Sequence, residues 1–337
     1  MKFVLSKALG KVSIEEMAVP EPKDGELLVK MKACGICGSD VEKVFGDYGM
    51  GSKKIGHEIS GEIAKSKNKS FVAGERVFVR QRVPCYKCHY CERGDFTVCD
   101  LFQKTSIEPC GLAEYFVVSE IHVKNGGLIK IPENISFEEA AIAEPLSCCI
   151  RGLEKLNPKK GDSVVIIGAG PIGIMNALVL KTRGVEKIFL VDIKDSRLDF
   201  AKRFGKPINS SKEDMQAIVK KETSIGADFV IIAVSSMKVF DDAIKIVRRG
   251  GQILLFGVPP KNSRITVDAN YLFVNEIGLF ASGYSVRREV EKALDLISTK
   301  KTDVKQLITH RLSIQDSQKA FDLAHTGEDA MKIVISA

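Results

Sequence analysis

The apolar positions in the second half of the chain fall in short unbroken runs separated by turn residues. Val164–Ile167, the KIFLVD stretch ending at Asp192, FVIIAV and QILLFGV read as strands buried on both faces, as in a parallel sheet. Helical segments alternate with them: PIGIMNALVLKTRG, and the segment from Val239 to Val247. This alternation predicts an α/β fold with a doubly wound parallel sheet. No run approaches the ~18 apolar residues of a membrane-spanning helix, so no membrane partner is expected. The opening MKFVLSKALGKVSIEEM has too short an apolar run for a secretory signal, and Lys7 and Lys11 follow at once. A cytoplasmic protein is expected.

The first of these strands runs into a glycine turn. Gly168, Gly170 and Gly173 form G-x-G-x-x-G in GAGPIG, with Pro171 and Ile172 between the last two, where strand meets helix. In this Rossmann pattern the first glycine permits the tight turn and the second lets backbone approach a pyrophosphate. The third brings the helix close to the strand. The helix N-terminus adds free amides and a positive dipole for the phosphates. Asp192 falls where a carboxylate accepts hydrogen bonds from the adenosine ribose and repels a 2′-phosphate, so NAD is expected over NADP. Arg197 and Lys194 are nearby cations able to take that phosphate, which keeps NADP open.

Composition adds bounds. With 337 residues, 45% of them hydrophobic, the chain holds more apolar material than one core of usual size, and two domains are expected. The net charge of +7 is spread along the chain without a dense basic run. That pattern suits anionic ligands or plain solvated lysines, and no nucleic-acid partner is expected. In a cytoplasmic protein the nine cysteines read as thiols or metal ligands before disulfides.

Four of them, Cys85, Cys88, Cys91 and Cys99, lie within PCYKCHYCERGDFTVCD. The first three are two residues apart, a spacing that lets one loop wrap a tetrahedral metal at about 2.3 Å from each sulfur. A closed four-sulfur shell has no open position, so this Zn2+ would be structural. The alternatives are a pair of disulfides or a nucleic-acid-binding ribbon; ribbons usually split their ligands into two distant pairs. Cys110 lies outside the lobe and reads as a buried thiol.

A second set mixes ligand types: Cys37 in ACGICGSD, His57 and Glu58 in IGHEISG, and Glu144 in AIAEPLSCC. Three protein ligands of mixed type leave a position for water or substrate, as catalytic zinc requires. Singly, each has a plainer reading. His57 suits a hydrogen-bonded structural histidine, Cys37 a small buried hydrophobe, and Glu144 a helix cap.

Together these motifs resemble the zinc-containing medium-chain dehydrogenase family over nearly the whole chain. The resemblance is carried by CGICGSD, GHE, the four-cysteine lobe, EPLS, the glycine loop and LITHRLSIQDSQKAFDLA. It is nearest to the branch of sorbitol (polyol) and threonine dehydrogenases, because Glu144 stands where liver-type alcohol dehydrogenases carry a cysteine. The resemblance implies a discontinuous β-rich, GroES-like catalytic domain, residues 1–146 and 282–337, with the cofactor domain, 147–281, inserted. It implies homo-oligomers, often tetramers. It maps Cys37 and His57 onto zinc ligands, and Glu58 and Glu144 onto carboxylates that ligate zinc or hold its water and exchange roles. Ser39 matches the hydroxyl that contacts the substrate oxygen, and Asp40 an acid that buttresses His57. The implied reaction is hydride transfer between NAD and a secondary alcohol: a polyol, sugar or hydroxy amino acid. Simple secondary alcohols and phosphorylated sugars or polyols are the alternatives within the enzyme class, and a nucleotide-binding protein without catalysis is the alternative outside it.

The sequence also departs from the family. Glu42 occupies the place where many relatives carry a histidine that ends a proton relay. It either relays as a carboxylate or the relay ends earlier. GDYGMGSKKIGHE, expected at the substrate entrance, carries Lys53 and Lys54 where relatives are more apolar. Ser285 stands near where polyol dehydrogenases often place an arginine, with Arg287 and Arg288 a little later. These basic residues allow a substrate with phosphate or carboxylate; solvated surface charge is the plain alternative.

Overall fold

The apolar runs of the second half become one sheet. In a computed structural model, residues 1–46, 54–327 and 330–337 are described. Cys148–Tyr284 form one unit, and Met1–Ser147 with Ser285–Ala337 form the other. No described helix is long and apolar enough to cross a membrane.

In the first unit, parallel strands run in the order Lys206–Asn209, Lys187–Asp192, Ser163–Ile167, Ala227–Ile232, Val247–Leu255, Gly278–Ala281. The third strand in sequence lies at one edge and the order reverses beside Ser163–Ile167, which is the doubly wound Rossmann arrangement with its switch point at that strand. Val164, Val165 and Ile166 are fully buried, each contributing about 1.5–3 kcal/mol of burial. The helix expected over Val239–Val247 is shorter, Phe240–Ile246, after a tight turn at Met237–Val239. Val247 turns to extended backbone and pairs with Ala227, opening the next strand, which ends at Leu255 short of Phe256 and Gly257.

The second unit is β-rich. Its sheet runs Ile308–Ser313, Lys332–Ser336, Leu27–Gly35, Glu58–Ser66, Arg76–Val79, Leu128–Lys130, with Tyr115–Val118 also paired to Leu27–Gly35. A separate hairpin, Lys2–Ala8 with Lys11–Glu16, belongs to the same unit. The C-terminal strand therefore sits beside an N-terminal one, in antiparallel register Val334↔Gly35. The core fills with Val29, Met31, Ile59, Phe116, Phe321 and Ile335. Two features place the site. A helix, Gly38–Phe45, starts three residues after the Leu27–Gly35 strand ends, and Glu58 opens the adjoining strand directly opposite Gly35.

Candidate functional site

Cys37, His57 and Glu58 present one ligand atom each, all within 4.8 Å of one another. Cys37 is the N-cap of Gly38–Phe45, with extended backbone and its carbonyl accepting from Asp40 and Val41. Its sulfur thus lies at the N-terminal end of that helix. Ser39 Oγ, two residues on in the first turn, donates to Cys37 Sγ at 3.4 Å.

His57 is oriented from behind. Its Nδ1 lies 3.0 Å from Oδ2 of Asp40, which is 1% exposed, and leaves Nε2 for the cluster. Asp40 also accepts from Lys43 Nζ at 2.8 Å and from the Gly56 amide at 3.1 Å. Burial pushes the Asp40 carboxyl up, but Lys43 and His57 outweigh it and hold it well below the usual range. Burial likewise opposes charge on His57, yet Asp40 and Cys37 raise its proton affinity well above the ordinary value.

Glu58 is fully buried. Its Oε1 accepts from Lys332 Nζ at 2.5 Å, and Lys332 also donates to the Ile36 carbonyl at 2.9 Å. Oε2 has no hydrogen-bond partner among the described residues. The carboxylate occupies the place of a missing side chain, since a Cβ at Gly35 would lie 1.9 Å from Oε2. A buried carboxylate oxygen without a donor is costly unless something electropositive meets it, so this donor set fits a metal ion. Glu144, half-buried on Phe137–Leu156, does not join the close trio. Its charge acts on Lys332 and Arg80.

Cys85, Cys88, Cys91 and Cys99 also converge within 4.8 Å, with Cys85 Sγ 3.9 Å from Cys91 Sγ. Burial and neighbouring thiols push Cys91 up to about 12. Burial raises Cys99 too, but amides of Cys85 and Phe102 bring it down to about 6. Four sulfurs at this spacing are unpaired thiols and suit a tetrahedral thiolate shell. Cys110 is buried, away from the lobe.

In the other unit, Gly168 turns with φ +110°, and Pro171 opens the Pro171–Thr182 helix with Gly170 as N-cap and Ile172 in the first turn. A Cβ at Gly173 would lie 1.9 Å from the Gly168 carbonyl, so the helix packs directly on the turn. A Cβ at Gly170 would meet nothing nearer than Arg197 Nη1 at 3.9 Å, which leaves room for a ligand. Asp192 braces the loop: Oδ2 accepts from the Ala169 amide at 2.9 Å, and Oδ1 from those of Ile193 and Lys194. Three of its roughly four acceptor positions are thus filled, and one remains. Arg197 Nη1 lies 3.7 Å from Oδ2.

Residues 23–133 match the model of the alcohol dehydrogenase GroES-like domain, and residues 171–299 that of the zinc-binding dehydrogenase. D-altritol 5-dehydrogenase of Agrobacterium fabrum is 31% identical, covering 97% of both chains. Sorbitol dehydrogenase of Bacillus subtilis is 30% identical, covering 96% of this chain and 93% of that one. The chain belongs to the zinc-containing medium-chain dehydrogenase family, in its sorbitol dehydrogenase-like branch. Among solved structures, the alcohol dehydrogenase TADH from Thermus sp. ATN1 superposes with a TM-score of 0.89 at 26% identity, covering 100% of this chain and 99% of that one. A dehydrogenase (rspB) from E. coli CFT073, solved with NADH, gives 0.88 at 28%, covering 100% and 99%. The protein is thus an enzyme of the alcohol dehydrogenase type.

As a medium-chain dehydrogenase it has its own features. The Glu42 carboxylate lies over Gly46, one turn onward, and has no hydrogen-bond partner among the described residues. Of the expected substrate entrance, residues 47–53, Lys53 included, lie outside the described residues, and Lys54 pairs with Glu108. Arg287 and Arg288 are engaged by Glu291 and Glu289. Reading the sequence passes over three buried or nearly buried cations that the fold brings in: Lys43, Lys332, and Arg80, whose Nη2 donates to the Ser285 carbonyl at 2.9 Å. A cation inside an apolar stretch such as MKIVIS is the one signal available for Lys332.

Proposed function

We propose that this dehydrogenase transfers a hydride between a secondary hydroxyl of a polyol and NAD, with one catalytic and one structural zinc per chain. The observation that carries this reading is the convergence of Cys37, His57 and the orphaned Glu58 Oε2, with His57 fixed by Asp40. Polyol activity is supported by the relatives named for altritol and sorbitol.

Cys37, His57 and Glu58 would hold the catalytic ion, with Glu144 as the exchanging carboxylate. Cys85, Cys88, Cys91 and Cys99 would hold the structural one. When bound, zinc lowers the pKa of an alcohol oxygen, and the nicotinamide accepts the hydride. Asp40 keeps the His57 proton on Nδ1, so Nε2 stays a donor to metal. Ser39 Oγ, beside Cys37, passes the hydroxyl proton outward. Glu42 is the next group along the helix able to take it, after a rotamer change away from Gly46. Gly168, Gly170, Pro171, Ile172 and Gly173 cradle the pyrophosphate. Asp192 has one acceptor position left for a ribose hydroxyl, and Arg197 beside it tempers discrimination against NADP.

A homo-oligomer, with a tetramer favoured by the family, is supported by the sheet edge. Leu279 and Phe280 of the edge strand Gly278–Ala281 are exposed, and the neighbouring helix Ala269–Asn275 buries no residue while Phe273 is 83% exposed. An unpaired, apolar edge of this kind suits pairing with a second copy. A cytoplasmic location is part of the same reading.

The test is a panel of polyols, sugars, their phosphates, threonine and simple secondary alcohols, with NAD and NADP, on zinc-loaded protein. Reduction of NAD by a polyol is expected. If no alcohol reduces either cofactor while two zinc ions are bound, the reading fails.

A further inference from the structure

Five parallel strands of the Cys148–Tyr284 unit begin at one end of its sheet, the end opposite the glycine turn at Gly168. Segments 157–163, 181–187, 202–206, 220–228 and 248–251 enter or open those strands. Together they hold twelve lysines and arginines against four carboxylates. That excess of eight exceeds the +7 of the whole chain, so the rest of the molecule is close to neutral. Along the chain these cations are dispersed; the sheet order collects them. The segments touch: a Cβ at Gly184 would lie 3.6 Å from Cβ of Lys160, and Lys181 Nζ donates to the Arg203 carbonyl at 2.9 Å. Glu222 is held below the usual carboxylate range chiefly by Lys206, with Lys221 and Lys187 adding to it. Lys181, Lys220 and Lys221 stand in last helical turns, where they also offset the carbonyl ends. Lys159, Lys160, Lys187 and Lys206 lie outside any helix.

Among these cations one large apolar side chain points outward. Ile225 is 70% exposed at the tip between the Met215–Thr223 helix and the next strand. The tip is a closed turn: Ser224 and Gly226 have φ of +69° and +106°, and the Gly226 amide donates to Thr223 Oγ1 at 3.0 Å.

We propose that this end of the sheet docks on an anionic phospholipid surface, with the basic segments against the headgroups and Ile225 entering the acyl boundary. Such a contact lies on a bilayer without spanning it. A nucleic acid would use the cations but gain nothing from an aliphatic tip, and no exposed aromatic ring lies in these segments for a base to stack on. The glycine loop, at the far end of the Ser163–Ile167 strand, stays open to water in this orientation.

The test is co-sedimentation of the whole protein with vesicles of phosphatidylcholine alone, or of phosphatidylcholine and phosphatidylglycerol in equal parts. Binding is expected only to the mixed vesicles, and to be lost in high salt. Lys220→Ala with Lys221→Ala should weaken it on the order of twentyfold, and Ile225→Ser about tenfold. Melting temperatures equal to wild type certify the fold. Lys159→Ala with Lys160→Ala reads the same face should the first pair melt early. No binding to mixed vesicles overturns the proposal, and so does full binding by the folded lysine variants. Duplex DNA bound as tightly as the mixed vesicles, with Ile225→Ser indifferent to both, would make this a general polyanion surface and overturn it too.

Discussion

Asp40 Oδ2 lies 3.0 Å from Nδ1 of His57, and the carboxylate is shared with Lys43. The pair behaves differently with and without metal. In the metal-free protein Asp40 and Cys37 outweigh burial and keep His57 protonated above its usual range. That pairing stabilises fully below the ordinary histidine value of about 6.5 and is lost as pH rises through the elevated one. A metal needs the neutral ring, so zinc and proton compete.

Zinc uptake at neutral pH should therefore expel the His57 proton. Asp40→Asn removes the charge that holds it, and the protons released should fall by about one per chain. The variant should also bind the catalytic ion about 10–100-fold more weakly. A pH indicator in weak buffer and chelator competition measure the two. An unchanged proton count would show that His57 is already neutral in the metal-free state.

Gly35 offers a sharper probe of Glu58. Its Cβ position lies 1.9 Å from Oε2, and a methyl group there must displace a fully buried carboxylate. Gly35→Ala should lose the catalytic ion while the four-cysteine lobe keeps its own. Metal analysis giving two ions per chain in the variant would mean that Glu58 is dispensable.

For the lobe, backbone amides outweigh burial and lower the Cys99 thiol to about 6. Being depressed, its contribution to holding metal is present above the free-thiol value of about 8.5 and declines as pH falls through the lowered one. Cys99→Ser should drop the zinc content by one ion per chain and lower the melting temperature, with the Cys37 site still loaded. Retention of both ions would contradict a four-thiolate shell.

Asp192 has two tasks, bracing the Ala169 amide and keeping one acceptor free. Asp192→Ala should raise KM for both cofactors, and for NAD more than for NADP. Equal increases would reduce Asp192 to a loop brace.

At the sheet edge, Phe273→Lys with Leu279→Lys should split the oligomer, as read by sedimentation. An unchanged assembly would place the interface elsewhere.

How far these features can be read from sequence follows from their range. The strand–glycine–helix unit is local: Gly168, Gly170 and Gly173 act on backbone within a few residues, and their spacing carries the geometry. The cysteine lobe is similarly compact. The trio is only partly legible, because Cys37, His57 and Glu58 each have ordinary readings until strand pairing sets Glu58 against Gly35. Lys332 is beyond reach, since 274 positions separate it from Glu58 and only sheet order joins them. The helix from Phe240 is cut short by a pairing of Val247 with Ala227 that local periodicity does not contain.

The late position of Lys332 also imposes an order on biosynthesis. A growing chain makes the thiol, imidazole and carboxylate of the trio early, and their compensating cation is added 274 residues after Glu58. Until the Lys332–Ser336 strand docks beside Leu27–Gly35, Glu58 lacks the ammonium that Lys332 brings to its Oε1. The buried pair of Lys332 and Glu58 can therefore close only late in folding, once the Lys332–Ser336 strand has taken its place in the sheet.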